Sequence, residues 1–539
     1  MNLKKRLIPA LLASTFVSTA YSVPALANDS AELEELRALV QQLEQKVKVI
    51  DRKSELAEEA AAAKKKETPV VKASQDGFSF ASADGKNEIK FRGLLQADHR
   101  QFTEGANDVR ARTNDRAGTL NPDGFHDAED SSLLRRVRPT IEGKVNGKYG
   151  FRFTPEFAGG SASAVDAYVE ANFDPAFNIR AGKQKSVVGL ERLQGGGDIK
   201  FIERSYVTNA ILPNRDLGVT VLGTVLNNKL DYAFGIVNGV ADGGNISTGT
   251  EYNGEREYTG RLFASPFKDQ DSVLAGLSFG IGGTYTNYRG DKNLNFTDTS
   301  SADSTRNGLP SYVTEGQQTF FRYGSGVIAD GQRIRWAPQA SYYLGPLGVI
   351  AEYARVSQEV SKASGGSPAA GGAASNSVVT ADSNKKLSHD AWSIGISYLI
   401  TGEDASFKGV KPKNDFDLDK GGWGAWELVG RYSEINLDKD TFKNTNGEYK
   451  RDANDTAYGN TDSAYADLSK SAESAKTWTA GLNWYLNKNT KFAINYAQTK
   501  FDGGAGGGNG SASNITTNGS NVKDRPDEKA ILARFQVAF

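Results

Sequence analysis

Basic residues recur at every second position along short stretches of this chain. Lys90 is followed by Arg92, Arg136 by Arg138, and Lys183 by Lys185, with Arg180 three residues ahead of that last pair. On an extended strand, residues i and i+2 share a face, so this spacing lines one face with positive charge. The planar fork of a guanidinium matches the oxygens of phosphate or carboxylate. The chemistry on offer is reversible coordination of anions. The candidate anion-binding residues are Arg92, Arg136, Arg138, Arg180, Lys183 and Lys185.

Other chemistries find less support. The three histidines, His99, His126 and His389, form no metal-ligand spacing. Cysteine is absent, so neither a disulfide framework nor a thiolate metal site can form. The glycines from Gly503 to Gly510 precede no Lys-Ser/Thr and read as a loop. No cofactor or metal is expected, and no catalytic residues are assigned. A Ser/His hydrolase at a barrel rim has no spacing that would mark it. Net charge is −1, which offers no basis for binding nucleic acid.

The elements that must position those bases follow from hydrophobic periodicity. Lys4, Lys5 and Arg6, an apolar run from Leu7 to Val17 and the small residues Ala25-Leu26-Ala27 read as a secretory signal over 1–27. Removing its three cations leaves −1 − 3 = −4. Leu33, Leu36, Val40, Leu43, Val47 and Ile50 then repeat in three- and four-residue steps, a heptad seam. The spacing predicts a coiled coil over 28–59, or else one amphipathic helix lying on its own domain. Lys64-Lys65-Lys66 and Pro69 mark 60–87 as a polar linker.

From about Glu88 the period is two. Ile89, Phe91, Gly93, Leu95 and Ala97 alternate with Lys90, Arg92, Leu94, Gln96 and Asp98, and the pattern returns as far as Phe539. Sixteen segments of this kind fall near 88–99, 134–145, 149–157, 164–173, 177–184, 216–226, 229–238, 257–266, 274–287, 333–344, 347–357, 389–400, 424–434, 476–487, 490–501 and 528–539. Long connections follow the odd-numbered segments and tight turns such as Asn146-Gly147-Lys148 follow the even ones; the exceptions are 158–163, which is short, and 401–423, which is long. That parity predicts a sixteen-stranded antiparallel transmembrane β-barrel over 88–539, lipid outside and water inside. If the apolar set faces lipid, twelve bases face inward against eight acids, with the bases concentrated in the first five segments.

Four stretches carry a family likeness. They are Leu134-Arg135-Arg136-Val137-Arg138-Pro139; Arg180 to Lys185 leading into Gly189-Leu190-Glu191-Arg192-Leu193; Phe201-Ile202-Glu203-Arg204-Ser205 with Pro213-Asn214-Arg215-Asp216-Leu217-Gly218; and Tyr232 to Gly239. Together they resemble the phosphate-selective porin O and P family. The resemblance implies an outer-membrane porin of a Gram-negative bacterium, a homotrimer of barrels, and a third external loop (about 185–215) folded inward. It implies passive diffusion of small anionic, phosphate-like solutes. Dicarboxylates or other small organic anions are the alternative cargo, and a trimeric adhesin tethered by its coil is the alternative class. Expected partners are the solute, outer-membrane lipid and further copies of the chain. Peptidoglycan or another periplasmic partner for the coil stays open.

Overall fold

The computed structural model describes residues 29–104, 107–108, 126–127, 130–246, 254–290, 307–324, 327–362, 384–443, 464–468, 470–506 and 522–539. The signal segment lies outside them. The chain divides into two units at Thr68 and Pro69.

The first unit is a single helix, α1 (Asp29–Glu67). Alanine, leucine, glutamate and lysine, all strong helix formers, fill it. Leu36, Val40, Leu43, Val47 and Ile50 of the heptad seam are all exposed on this one chain. The helix continues eight residues beyond the expected end of the coil at 59, because the Ala- and Lys-rich stretch that reads as a linker has high intrinsic helix propensity. The rest of the expected linker is no free tether either. Val70–Ser74 and Gly77–Ala81 form a hairpin around a Gly77 with φ of 99°. Its second strand pairs with the start of the barrel through Phe78↔Phe91 to Ala81↔Glu88. β-Branched and aromatic residues at 70–71, 78 and 80 favour that extended form over the polar cues around them.

The second unit is a closed barrel of sixteen antiparallel strands. They are β1 (Glu88–Glu104), β2 (Ser131–Val145), β3 (Tyr149–Glu156), β4 (Ser163–Asp174), β5 (Phe177–Lys185), β6 (Arg215–Val225), β7 (Leu230–Val237) and β8 (Glu257–Ala264). The second half comprises β9 (Leu277–Arg289), β10 (Val327–Leu344), β11 (Leu347–Lys362), β12 (Lys385–Leu399), β13 (Ala425–Asn436), β14 (Ala472–Tyr485), β15 (Thr490–Gly506) and β16 (Glu528–Ala538). Each of the sixteen expected segments is a strand. The barrel closes where β16 pairs with β1, and Gly93 and Phe539 exchange backbone bonds of 2.9 and 3.0 Å at the seam.

Alternation sorts the side chains as the period of two requires. Leu95, Val169, Phe234, Ile281, Ile394 and Phe535 are exposed on the outer face, whereas Gln96, Asp98, Asp166, Arg335, Glu427 and Arg534 are buried inside. At the turn end, Asn146 and Gly147 both take positive φ, as a two-residue hairpin turn demands. The inside is not simply water. Val188, Tyr206 and Ile211 from the β5–β6 loop pack with Tyr312, Phe320 and Phe321 of a short inner hairpin and with Phe442 and Phe501. Loops thus supply an apolar core within the barrel at its loop end.

Candidate functional site

The β5–β6 loop, 186–214, crosses the lumen, and each stage of its path is tied to the wall. A short helix, α2 (Leu190–Leu193), presents the backbone N–H groups of Leu190 and Glu191 to the Glu352 carboxylate at 2.6 and 3.0 Å. The carbonyls of Gly196 and Gly197 accept from Gln96 and Gln536, each at 2.9 Å. The approach is close here: a Cβ on Gly196 would lie 3.0 Å from Leu94 and 3.4 Å from the Arg136 side chain, so a larger residue would make both give way by a few tenths of an ångström. Farther on, Lys200 pairs with Glu427 at 3.1 Å, and the Ile202 amide donates to Asn495 at 2.8 Å. Tyr206 donates its amide to Ser433, and its hydroxyl meets Thr477 at 2.7 Å.

Among the described residues, the side-chain bonds of 195–206 to barrel strands reach β1, β2 and β13–β16 and none of β3–β8. The inner hairpin (Ser311–Val313 with Thr319–Arg322) occupies the same side. Its Glu315 accepts from Arg431 at 2.7 Å and Thr479 at 2.9 Å, and Thr314 donates to Glu528 at 3.0 Å. The tight turn-side segment 401–423 also meets the loop, through Gly409 to Asp198 at 2.9 Å and Gln194 to the Phe407 carbonyl at 2.9 Å. Three segments therefore crowd one side of the lumen and leave the other side, where β2–β6 carry many bases.

The six candidate residues fall into two kinds of environment. Arg92 pairs with Glu142 at 2.8 Å, Arg138 with Glu156 at 2.6 Å and Arg180 with Glu170 at 3.0 Å, the last also stacking 4.6 Å from the Tyr168 ring centre. Arg152 joins the first pair through Glu142 at 3.0 Å. These are cross-strand ion pairs that largely cancel their own charge. Arg136 instead donates to the neutral Gln96 at 2.5 Å. Lys183 donates to the Ile246 carbonyl at 2.6 Å, and Lys185 to the Leu193 and Gln194 carbonyls at 3.3 and 2.7 Å.

Further bases meet Lys185, and spacing along strands does not reveal them. Arg192 donates to the Thr208 carbonyl. Arg204 donates to the carbonyls of Gln194 at 3.0 Å and Glu191 at 3.4 Å. Arg215 pairs with Asp166 at 3.0 Å. The electrostatic neighbourhood of Lys185 holds Arg192, Arg204 and Arg215 together with the Asp166 carboxylate, and Glu191 acts on Arg192 and Arg204. The sequence signal for Arg192, Arg204 and Arg215 is their place in the family-like motifs; alternation cannot find them because they lie in or beside a loop.

Arg135 shows a different failure of parity. A bulge opposite Gln96 and Ala97 places one extra residue in β2. Arg135, which strict alternation would turn outward, thereby reaches Glu203 at 2.7 Å, where Arg100 also arrives at 3.2 Å. Burial opposes ionisation of Glu203, yet Arg135 overrides it and holds the carboxyl well below the usual carboxylate range. Glu191 behaves alike: burial works against its charge, and Arg431 with Arg204 depresses it nonetheless.

A model of the phosphate-selective porin O and P family matches residues 109–539. No curated protein matches the chain in sequence. Among solved structures, the outer membrane channel DcaP of Acinetobacter baumannii is similar, with 12% identity over 84% of this chain and 97% of that one, at a TM-score of 0.46. The anion-selective porin from Comamonas acidovorans aligns at 11% identity, 84% and 100% coverage and a TM-score of 0.45. OmpT of Vibrio cholerae in its trimer form aligns at 10% identity, 84% and 99% coverage and a TM-score of 0.45.

Proposed function

The chain belongs to the phosphate-selective porin O and P family, and we propose that it conducts small anions, phosphate among them, past the basic side of its lumen. It is an outer-membrane porin. The anion preference rests on one observation: Lys183, Lys185, Arg192 and Arg204 donate to backbone carbonyls and, among the described residues, none of the four is neutralised by a direct ion pair. Charge in a narrow, low-dielectric passage is screened far less than charge on the exposed surface, so this group outweighs the nearly balanced total. Conduction needs each site to bind weakly enough to let the ion go, and cations already engaged by carbonyls meet that need.

The assembly is a homotrimer in this reading, with the signal removed after Ala27 and the helix in the periplasm. The seam on α1 supports self-association, because a single helix cannot bury its own narrow apolar stripe. Single channels in a planar bilayer under a salt gradient test the function. The reversal potential should lie toward the anion, and phosphate should reduce the chloride current. A reversal potential on the cation side would refute the proposal.

A further inference from the structure

At the loop end of β2–β6 lies a cavity of about 610 Å³, within the range of small-molecule sites. Arg138, Lys183 and Arg215 line it, together with the apolar side chains of Leu133, Val165 and Ile246. Residues 244–246 complete it by pairing along 214–215: Asn214 donates to the Gly244 carbonyl at 3.0 Å and Ile246 to the Arg215 carbonyl at 2.9 Å. Lys183 and Arg215 are more than nine-tenths buried. Arg215 lies in the electrostatic neighbourhood of both Arg138 and Lys183, so the three cations share one field.

We propose that this cavity binds organic monoanions that carry a carboxylate at one end and an apolar body at the other. The proposal rests on the anion-selective reading and narrows it to a class of ligand. Charge sets the ligand's valence. Two of the three bases have a direct ion pair, Arg138 with Glu156 and Arg215 with Asp166, which leaves Lys183 without one (3 − 2 = 1), with Asp216 in its wider electrostatic neighbourhood. Arg135, which also borders the cavity, has its own ion pair with Glu203, a carboxylate that it shares with Arg100. Donors remain for a carboxylate, because Arg138 engages Glu156 through Nε and Lys183 spends one of its three protons on Ile246.

The apolar lining residues set the ligand's body. An inorganic oxyanion gains nothing from the side chains of Leu133, Val165 and Ile246 and gives up water against them, at a desolvation cost. A hydrocarbon chain gains instead, by roughly 0.8 kcal/mol per buried methylene, which converts to about a fourfold gain in affinity.

Block of the chloride current by acetate, butyrate and hexanoate on the intact protein reads this out without any substitution. The half-blocking concentration should fall by at least about tenfold from acetate to hexanoate. Equal block by all three would overturn the cavity proposal, as would the same length dependence for alkylammonium ions. Ile246→Asn should flatten the length dependence, and retention of the full dependence in that variant would count against the site. Lys183→Gln should weaken block by every carboxylate; an unchanged half-block would also overturn the assignment. The two readings fail separately. A cation-side reversal potential removes the anion channel itself, whereas anion selectivity with length-independent block removes the cavity alone.

Discussion

Two groups of bases line the same barrel and are held in opposite ways. On the strands, Arg92, Arg138, Arg180 and Arg534 each lie against a carboxylate, from Glu142, Glu156, Glu170 and Asp98. At the base of the lumenal loop, Lys185, Arg192 and Arg204 lie against carbonyl oxygens. A carbonyl satisfies the donor and leaves the charge; a carboxylate satisfies the donor and removes it. The density of arginine along a strand is therefore a poor guide to the field in the lumen. The first group braces the wall, and the second is the one we propose sets its potential.

The sharpest way to break this contrast is to leave a braced base without its acid. Glu203 serves Arg100 and Arg135 together, both from the wall. Glu203→Gln should cost about 3–5 kcal/mol, because two guanidinium groups stay in the lumen with no counter-charge. Urea unfolding in detergent, followed by tryptophan fluorescence, measures it. The Glu203 carboxyl is depressed in the folded state, so its stabilising contribution is complete above the ordinary value of 4.5 and is lost as pH falls below it. The gap between wild type and variant should accordingly be full at pH 7 and close in acid. A gap that persists unchanged in acid would mean that the loss comes from packing.

A second, smaller effect tests the loop group. Replacing Lys185 and Arg204 by Gln should lower the anion-to-cation permeability ratio by at least roughly tenfold, since a single unit charge about 10 Å from the ion at an effective dielectric near 20 contributes about 1.7 kcal/mol. Bi-ionic reversal potentials report it, with retained resistance to urea as the check on folding. The smallest effect belongs to a wall pair. Arg180→Gln with Glu170→Gln removes a partly exposed ion pair and should change stability by less than about 1 kcal/mol and selectivity by almost nothing. A marked loss of anion preference in that double variant would erase the distinction between the two groups.

Much of this architecture was legible because a barrel in lipid has few options. Backbone groups in the hydrocarbon layer must pair internally, so alternation, strand length and the parity of long and short connections were enough to lay out all sixteen strands. The inward placement of Arg136 and Arg138 followed from the same rule. The hairpin at 70–81 was missed because its turn, Gln75-Asp76-Gly77, sits among polar residues that also describe a linker, and its strands form by pairing to the seam.

The sequence by itself determined the barrel, the place of each strand along the chain, and the family, since period-two patterning and motif residues are local properties of the chain. The tertiary structure alone decided which bases keep their charge. That depends on what each side chain meets across the lumen: Arg180 finds Glu170 ten residues away, whereas Glu203 is reached from Arg100 and Arg135, 103 and 68 residues distant. The bulge at Arg135 and the loop's crossing to β13–β16 are consequences of closure around one enclosed space. No spacing along the chain encodes the distance between two residues on opposite walls.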